Sequence, residues 1–479
     1  MAEEKLPTRA EDFSEWYNQL VLKADLADYA PVRGCMVVKP YGWALWENIM
    51  SWLDREFKET GHVNAAFPTL IPVSFFEREK EHVEGFSPQL AIVTHGGGEK
   101  LEEPLAVRPT SETIIGHMYS KWIKSWRDLP VLIVQWGSVL RWEIRTKLFL
   151  RTAEFYWHEG HTAHSSRDEA LEEMYRILDI YGKFCLEQAA IPAIKGTKSE
   201  SEKFPGAQIT TSIEAMMWDK RALQSGTSHY FGQNFAKAFE IQYLDTNNTL
   251  QFCETTSWAI SSRIIGALIM VHGDDQGLVL PPRLAPVQAV IVPIYKNDAE
   301  KSKVMEVADR VFKELKAAGI RLKMDDRDNV SSGFKFNDWE MRGVPVRVEI
   351  GPKDVEKGSV ALARRDKPGK EGKSFVEQAG LASTVSRLLV EIQDSLLKRA
   401  TEFRDANIHD PKDYDELKKV VADGWAFSYW CESAECEAKV KEEAKATTRN
   451  IPFDQPEKAG TCIVCGQPAK RKVYFARSY

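Results

Sequence analysis

Two strand-like runs in the middle of the chain, joined by a short polar loop, constrain its fold most strongly. From residue 131 the sequence reads VLIVQWGSVLRWEI, then RTKLFLRT, then AEFYWHEGHTAH. The first run reads as one long strand and the second alternates clearly, so the pair is expected to form a hairpin at the centre of an antiparallel sheet. Alternation would put Arg141 and Glu143 on one face of the first strand, and Trp157, Glu159 and His161 on one face of the second. A buried arginine is costly unless it meets an anion. Arg141 therefore implies either an internal ion pair or a phosphate or carboxylate ligand. For RWE alone, an Arg–Glu pair bracing the hairpin explains the pattern equally well.

The flanking sequence extends the hairpin into an α+β unit. Leu45, Ile49, Leu53 and Phe57 recur at helical spacing between Pro40 and Gly61, and the proline-bearing strand VNAAFPTLIPV follows. Ser166 and Glu169 form a capping box for a helix reaching about residue 188. QITTSIEAMMW and NTLQFCETTSWAIS read as strands, the latter running into the apolar helix SRIIGALIMVHG, stopped by Gly273. LVLPPRLAP, with three prolines in nine residues, is a linker. Beyond it the order is strand QAVIVPI, helix AEKSKVMEVADRVFKELKAAG, strand IRLKMDD, helix FNDWEMRG and strand VPVRVEIG. The 479 residues thus divide into an α+β unit over 1–283, an α/β domain over 288–400 and a small α+β domain over 401–479.

The opening residues MAEEKLPTRAEDF are acidic and polar, unlike a secretion signal, and no apolar run reaches the ~18 residues of a membrane span. A cytoplasmic protein with no membrane partner is expected. A net charge of −6 supplies no global basic field, so an RNA partner would rely on local basic patches. Four of the seven cysteines crowd near the end as C-x4-C (Cys431, Cys436) and, twenty-five residues on, C-x2-C-G (Cys462, Cys465). In a chain without a secretion signal such spacing points to metal rather than to disulfides. Four thiolates with no open position suit a structural Zn²⁺.

Two further segments are dense in functional side chains. In RPTSET, residues 108–113, Thr110 or Ser111 is a good helix N-cap, and capping alone accounts for the segment. Arg263, by contrast, opens an apolar helix, where the macrodipole opposes a cation and favours an anionic partner beside it.

Together these segments resemble the signature of class II aminoacyl-tRNA synthetases across essentially the whole chain. The strand ending at Pro68 resembles motif 1, whose proline sits at the dimer interface in that family. RWEIRTKLFLRTAEFYWHEGHTAH resembles motif 2, and SSRIIGALIMVHGDDQGLVLPPRLAP resembles motif 3, although TTSWAISSR replaces the usual glycine-rich lead. PTSE, GTSHYFGQNF and WHEGHTAH are similar to the prolyl enzymes of the archaeal and eukaryotic-like branch. The resemblance implies a homodimer that activates L-proline with ATP and Mg²⁺ and charges tRNA(Pro). It implies that Arg141 bridges the proline carboxylate and the α-phosphate, that Glu143 meets the adenine side and could help hold Mg²⁺, and that Arg151 and Thr152 approach the nucleotide. Gln224, Thr227 and Ser261 would contact ATP, and Arg263 would clamp its phosphates from the other side. Thr110, Glu112, Trp157, Glu159 and His229 would form the proline pocket, with Phe204 as a wall. Residues 288–400 resemble the anticodon-binding domain, in which Glu340, Arg347, Lys353 and Asp354 could read guanine edges; a solvated charged face explains them as well. The family's terminal tyrosine folds towards the active site, and Tyr479 matches it; a frayed tail is the ordinary alternative.

The chemistry suits these residue types. Adenylate formation joins two anions by in-line attack on the α-phosphate, which needs fixed cations and Mg²⁺ rather than an acid–base catalyst. Arg141 and Arg263 are the expected catalytic pair. About a hundred residues separate motifs 2 and 3, too few for the large editing insertion of many bacterial prolyl enzymes, so alanine mischarging would be corrected in trans. A threonyl enzyme is disfavoured because residues 1–280 hold no Cys/His set for a catalytic zinc. A non-catalytic relative would have lost the arginines that stand here at 141, 151 and 263.

Overall fold

A computed structural model describes residues 6–76, 90–143 and 145–479; the first five residues and Ile144, the last residue of the first expected strand, lie outside them. The hairpin stands at the heart of an eight-stranded sheet. Its strands from the first domain are β1 (Val63–Asn64), β2 (Val131–Leu140), β3 (Glu154–His164), β4 (Ile194–Thr197), β5 (Ile209–Met216), β6 (Ala222–Gly232) and β7 (Glu254–Ser261). They lie in the order β4-β5-β6-β7-β3-β2-β1, antiparallel except where β1 joins β2. The hairpin register runs from Val131 opposite Ala163 to Leu140 opposite Glu154.

The first strand of the hairpin stops sooner than its sequence suggests. The Arg141 N–H still donates to Ala153 O at 2.8 Å, but its side chain turns to donate to Pro109 O at 3.0 Å. Arg141–Glu143 therefore leave the ladder and do not share a strand face. VNAAFPTLIPV also divides, because Pro68 has no N–H to offer a ladder. Val63–Asn64 joins the large sheet, while Leu70–Pro72 joins a separate three-stranded one. NTLQFCETTSWAIS breaks at Cys253: its N–H donates to Ile241 O, continuing the pairing of Leu250–Phe252 with Gln242–Leu244, and only from Glu254 does the segment join the large sheet.

Helices α1 (Phe13–Lys23), α2 (Pro40–Glu59), α4 (Arg167–Lys183) and α5 (Arg263–His272) enclose the largest apolar core, in which Trp16, Tyr17, Phe57 and Trp258 are wholly or almost wholly buried. Gly160 is required there: a Cβ on it would lie 2.2 Å from the Trp258 ring. Helix α3 (Glu112–Trp122) packs in a second cluster with Phe231, Phe235 and Phe239. Only half of the expected capping box forms at α4. Ser166 accepts the Glu169 N–H, but the Glu169 carboxylate takes the Ser165 hydroxyl instead of the Ser166 backbone. The helix ends at Lys183 and a single π-turn, Phe184–Gln188, completes the segment.

The α/β domain contains β8 (Ala289–Pro293), β9 (Leu322–Met324), β10 (Val346–Ile350), β11 (Ser359–Arg364) and β12 (Lys373–Glu377), in the order β9-β8-β10-β11-β12. The first three are parallel, with α6 (Asp298–Ala317) and α7 (Ser332–Met341) in the crossovers, and the last two are antiparallel. A long helix, α8 (Leu381–Ala406), follows and runs through residue 400.

In the last domain β13 (Trp425–Trp430), β14 (Thr447–Thr448) and β16 (Arg471–Ala476) share a sheet with Ile408–His409, and α9 (Ala434–Ala444) packs beside it. Strand β15 (Ile451–Pro452) leaves this sheet and pairs with β4 as the outer strand of the catalytic sheet. A bridge between Ser478 and Ala222 ties the same domain to the start of β6. Among the described residues no helix is long and apolar enough to cross a membrane.

Candidate active site

One face of the catalytic sheet lines a cavity of about 350 Å³. Strand alternation delivers Phe155, Trp157, Glu159 and His161 from β3, and Ser257 and Ser261 from β7. β6 adds Gln224, Thr227 and His229. Gln224 and Thr227 are three residues apart yet face the same way, because the β5–β6 register shifts between Ile213 and Glu214 and leaves Ser225 unopposed. Thr110 and Glu112 enter from the start of α3, Arg141 from the end of β2, and Arg263 is the first residue of α5. Phe204 comes from the loop before β5, its ring centroid 4.5 Å from that of His229.

Both catalytic candidates among the arginines are half-buried at the cavity. Burial pulls Arg141 down to about 10; Glu112 opposes the fall and Arg263 adds to it. It remains a cation at neutral pH, its guanidinium carbon 5.4 Å from the ring centroids of both Phe155 and Trp157. Burial also lowers Arg263, and repulsion from Arg151 lowers it further; its Nε donates to Leu150 O at 3.1 Å. Mutually repelling cations around an open cavity favour a bound anion.

The two carboxylates differ in character. Glu159 accepts from the Ser111 N–H at 3.1 Å, the Ser111 hydroxyl, the Gln135 amide at 2.9 Å and His161 Nε2 at 3.0 Å. Burial acts to raise Glu159, but the His161 and Ser111 hydrogen bonds with the His161 and Arg108 charges prevail and hold it below the ordinary carboxylate range. Burial likewise acts to lower His161, and Glu159 more than offsets it, so His161 sits above the usual imidazole value. The Ser111 hydroxyl is thus spent on Glu159 and does not cap α3. Among the described residues Glu112 accepts only from the Thr110 and Ser257 hydroxyls. His229 is pushed down to about 3 by burial, then by His161 and Arg141, and is neutral. Its Nδ1 lies 3.0 Å from Thr210 Oγ1, which accepts the Phe204 N–H.

Residues 95–272 match the family described as "tRNA synthetase class II core domain (G, H, P, S and T)" and residues 288–382 an "Anticodon binding domain". Residues 414–479 match "Prolyl-tRNA synthetase, C-terminal". The proline–tRNA ligase of Roseiflexus sp. (strain RS-1) is 58% identical over 481 aligned positions, covering 100% of both chains. The chloroplastic/mitochondrial proline–tRNA ligase of Arabidopsis thaliana is 54% identical over 475 positions, covering 98% of this chain and 88% of its own. The crystal structure of prolyl-tRNA synthetase from Cryptosporidium parvum, complexed with halofuginone and AMPPNP, aligns with a TM-score of 0.95 at 40% identity over 99% of each chain. The chain belongs to the prolyl-tRNA synthetases. Like other class II synthetases it uses ATP with Mg²⁺, activates L-proline and transfers it to tRNA.

Three residues expected at the nucleotide do not line the cavity of this prolyl-tRNA synthetase. Glu143 and Arg151 face each other in the motif 2 loop at 3.4 Å, and the Thr152 hydroxyl donates to Glu154 O at 2.7 Å. Conversely, Phe155, Thr210 and Ser257 line it unforeseen, and His161 does so without having been assigned a role. Alternation on the two strands could have named Phe155, His161 and Ser257; Thr210 depends on a pairing that no local pattern reveals.

In the anticodon-binding domain Arg347 donates to Glu340 at 2.7 Å and to Glu349 at 3.0 Å and stacks 4.0 Å over Phe336, beside a cavity of about 310 Å³. Lys353 is exposed and Asp354 accepts the Gly351 N–H at 2.9 Å, both outside that cavity. The Sγ atoms of Cys431, Cys436, Cys462 and Cys465 all lie within 4.8 Å of one another. Cys431 is 3.6 Å from both Cys436 and Cys465, close to the ~3.8 Å edge that a tetrahedron of ~2.3 Å Zn–S bonds requires. Tyr479 donates from its backbone to Ala222 O at 3.2 Å and from its hydroxyl to Asp219 at 2.6 Å, two residues ahead of Gln224 along β6 for the backbone contact.

Proposed function

We propose that proline and ATP meet in the sheet-face cavity with Arg141 and Arg263 as the catalytic cations. The observation that carries this reading is their convergence, from the end of β2 and the start of α5, on one cavity that also holds Glu112, Trp157 and His229. Arg141 bridges the amino-acid carboxylate and the α-phosphate, holding attacking and accepting groups in line. Arg263, with Gln224, Thr227 and Ser261, holds the nucleotide from the other side and stabilises charge on the phosphoryl oxygens as diphosphate leaves. Glu143, Arg151 and Thr152 act from the motif 2 loop, with Glu143 the carboxylate available to Mg²⁺, which would neutralise phosphate charge.

Proline rests on the Trp157 face between Thr110, Glu112, Phe204 and His229. Glu112 is assigned to its secondary ammonium, since Glu159 already accepts from four donors and serves to fix the pocket wall. Glu340, Arg347, Lys353 and Asp354 are assigned to the anticodon of tRNA(Pro). The four cysteines are assigned to a structural Zn²⁺, as in the archaeal and eukaryotic-like branch, and Tyr479 to the edge of the active site. The division 1–283, 288–400 and 401–479 is retained as the domain plan. A homodimer is supported by the exposed Val63, Leu70, Ile92 and Trp122 around the motif 1 segment. Sedimentation as a 54.4 kDa species at micromolar concentration would remove it. A cytoplasmic location is the reading consistent with this chemistry.

The deciding experiment is ATP–diphosphate exchange with each of the twenty amino acids, with Arg141→Ala beside the wild type. Strong exchange with proline alone, lost in the variant, is expected. Exchange driven by another amino acid would reject the proline pocket, and no exchange at all would reject the catalytic assignment.

A further inference from the structure

Arg449 belongs to the C-terminal domain, between β14 and β15, yet its side chain is buried against the catalytic sheet. Its Nε and Nη2 donate to Glu214 Oε2 at 3.2 and 3.1 Å, and Lys198 Nζ donates to Glu214 Oε1 at 2.7 Å. Glu214 is fully buried and stands opposite Gln224 in the β5–β6 ladder. Directly opposed residues share a sheet face. The carboxylate therefore lies on the side of the sheet that carries Gln224 and Thr227 into the cavity.

The approach of the two domains here is close. β15 pairs with β4, and a Cβ on Gly196 would lie 2.4 Å from Ile451 O. Glu437 of α9 accepts the Ser199 hydroxyl at 2.7 Å, which fastens the residue after Lys198 to the same domain. A buried ion cluster adds little net stability, because desolvation offsets its attraction. What it does supply is a fixed position for each partner. Glu214 also favours the charged form of Arg263, and Arg449 opposes it, so the cluster lies within electrostatic reach of that arginine.

We propose that Arg449 is a positioning residue for the nucleotide half of the cavity: by pinning Glu214 it fixes the strand pair that presents Gln224 and Thr227, so the C-terminal domain helps set the affinity for ATP. This rests on the assignment of Gln224, Thr227 and Arg263 to ATP. The test uses the full chain and compares wild type with Arg449→Gln and Arg449→Lys in ATP–diphosphate exchange, measuring KM for ATP and for proline separately. Arg449→Gln is expected to raise KM for ATP roughly tenfold while KM for proline stays within about twofold, and Arg449→Lys should recover part of the loss. If Arg449→Gln does not fold, Arg449→Lys alone carries the test, because it keeps the charge and loses the forked contact. An unchanged KM for ATP, or an equal rise for ATP and proline, overturns the proposal. Failure of the underlying reading looks different: Arg263→Ala would then leave KM for ATP and the exchange rate untouched.

Discussion

His161 and Glu159 sit two residues apart on β3 with Gly160 between them, and their side chains meet at 3.0 Å as a buried ion pair in the cavity wall. His161 is raised and Glu159 lowered, so the pair titrates at both ends. The raised imidazole contributes fully below its ordinary value of about 6.5 and loses its contribution as pH climbs through the raised value. The lowered carboxylate contributes above about 4.3 and loses its share as pH falls through the depressed value. His161→Gln should therefore cost on the order of 2 kcal/mol in urea unfolding near neutral pH, a gap that closes in alkaline buffer. A gap that stays constant with pH would show that His161 is never charged.

Four other histidines act in the opposite sense. Burial pushes His158, His229 and His272 down to about 3 and His164 to about 4. A lowered imidazole is neutral when folded, whereas the unfolded chain takes up its proton below about 6.5, so stability falls as pH drops under that value. Melting temperature is expected to decline steadily between about pH 6.5 and about pH 4, and His272→Gln should flatten part of that decline.

Removing either catalytic arginine tests charge stabilisation directly. Arg263→Ala is expected to lower the proline-dependent exchange rate by about 100-fold or more, the scale seen when one fixed donor to a developing anion is lost. Arg141→Lys should fail nearly as badly as Arg141→Ala, because the guanidinium must donate to Pro109 O and still face two anions. Retention of more than about half the wild-type rate by Arg141→Lys would mean that charge alone suffices.

The fold was legible where local pattern and tertiary partner agree. The hairpin, α2, α5 and the alternating β–α order of the second domain follow from periodicity and from proline and glycine stops. It was not legible where pairing decides. Arg141–Glu143 leave the ladder because the Arg141 side chain finds Pro109, and β15 joins β4 although both belong to different domains in sequence. The candidate site was legible along single strands, as Trp157 and Glu159 show. Thr210 lines it only through a strand pairing, and Gln135 and Glu214 act behind its wall through Glu159, Lys198 and Arg449, so no spacing announces them.

The four-cysteine cluster predicts about one Zn²⁺ per chain by metal analysis of protein purified without chelator. Cys436 adjoins Glu437, which holds Ser199 and Thr448, so loss of the metal should loosen the seam with the catalytic sheet. Cys436→Ser is expected to lower the melting temperature by several degrees; a metal content well below one per chain would rule out the site.

The two cavity carboxylates should separate cleanly. Glu159 accepts from four donors, of which only the Ser111 hydroxyl can reverse, so in Glu159→Gln the new amide N–H₂ faces at least one N–H donor of Ser111, Gln135 or His161. A buried donor left unsatisfied beside a charged imidazole predicts a loss of about 2–3 kcal/mol in unfolding free energy. Glu112 accepts from two hydroxyls among the described residues, and hydroxyls can reverse their donation to suit an amide. Glu112→Gln should therefore fold with little loss of stability but raise KM for proline at least about tenfold, because the secondary ammonium loses its counter-charge. If instead Glu159→Gln gives the selective rise in proline KM while remaining as stable as wild type, the ammonium belongs to Glu159 and the assignment must be exchanged.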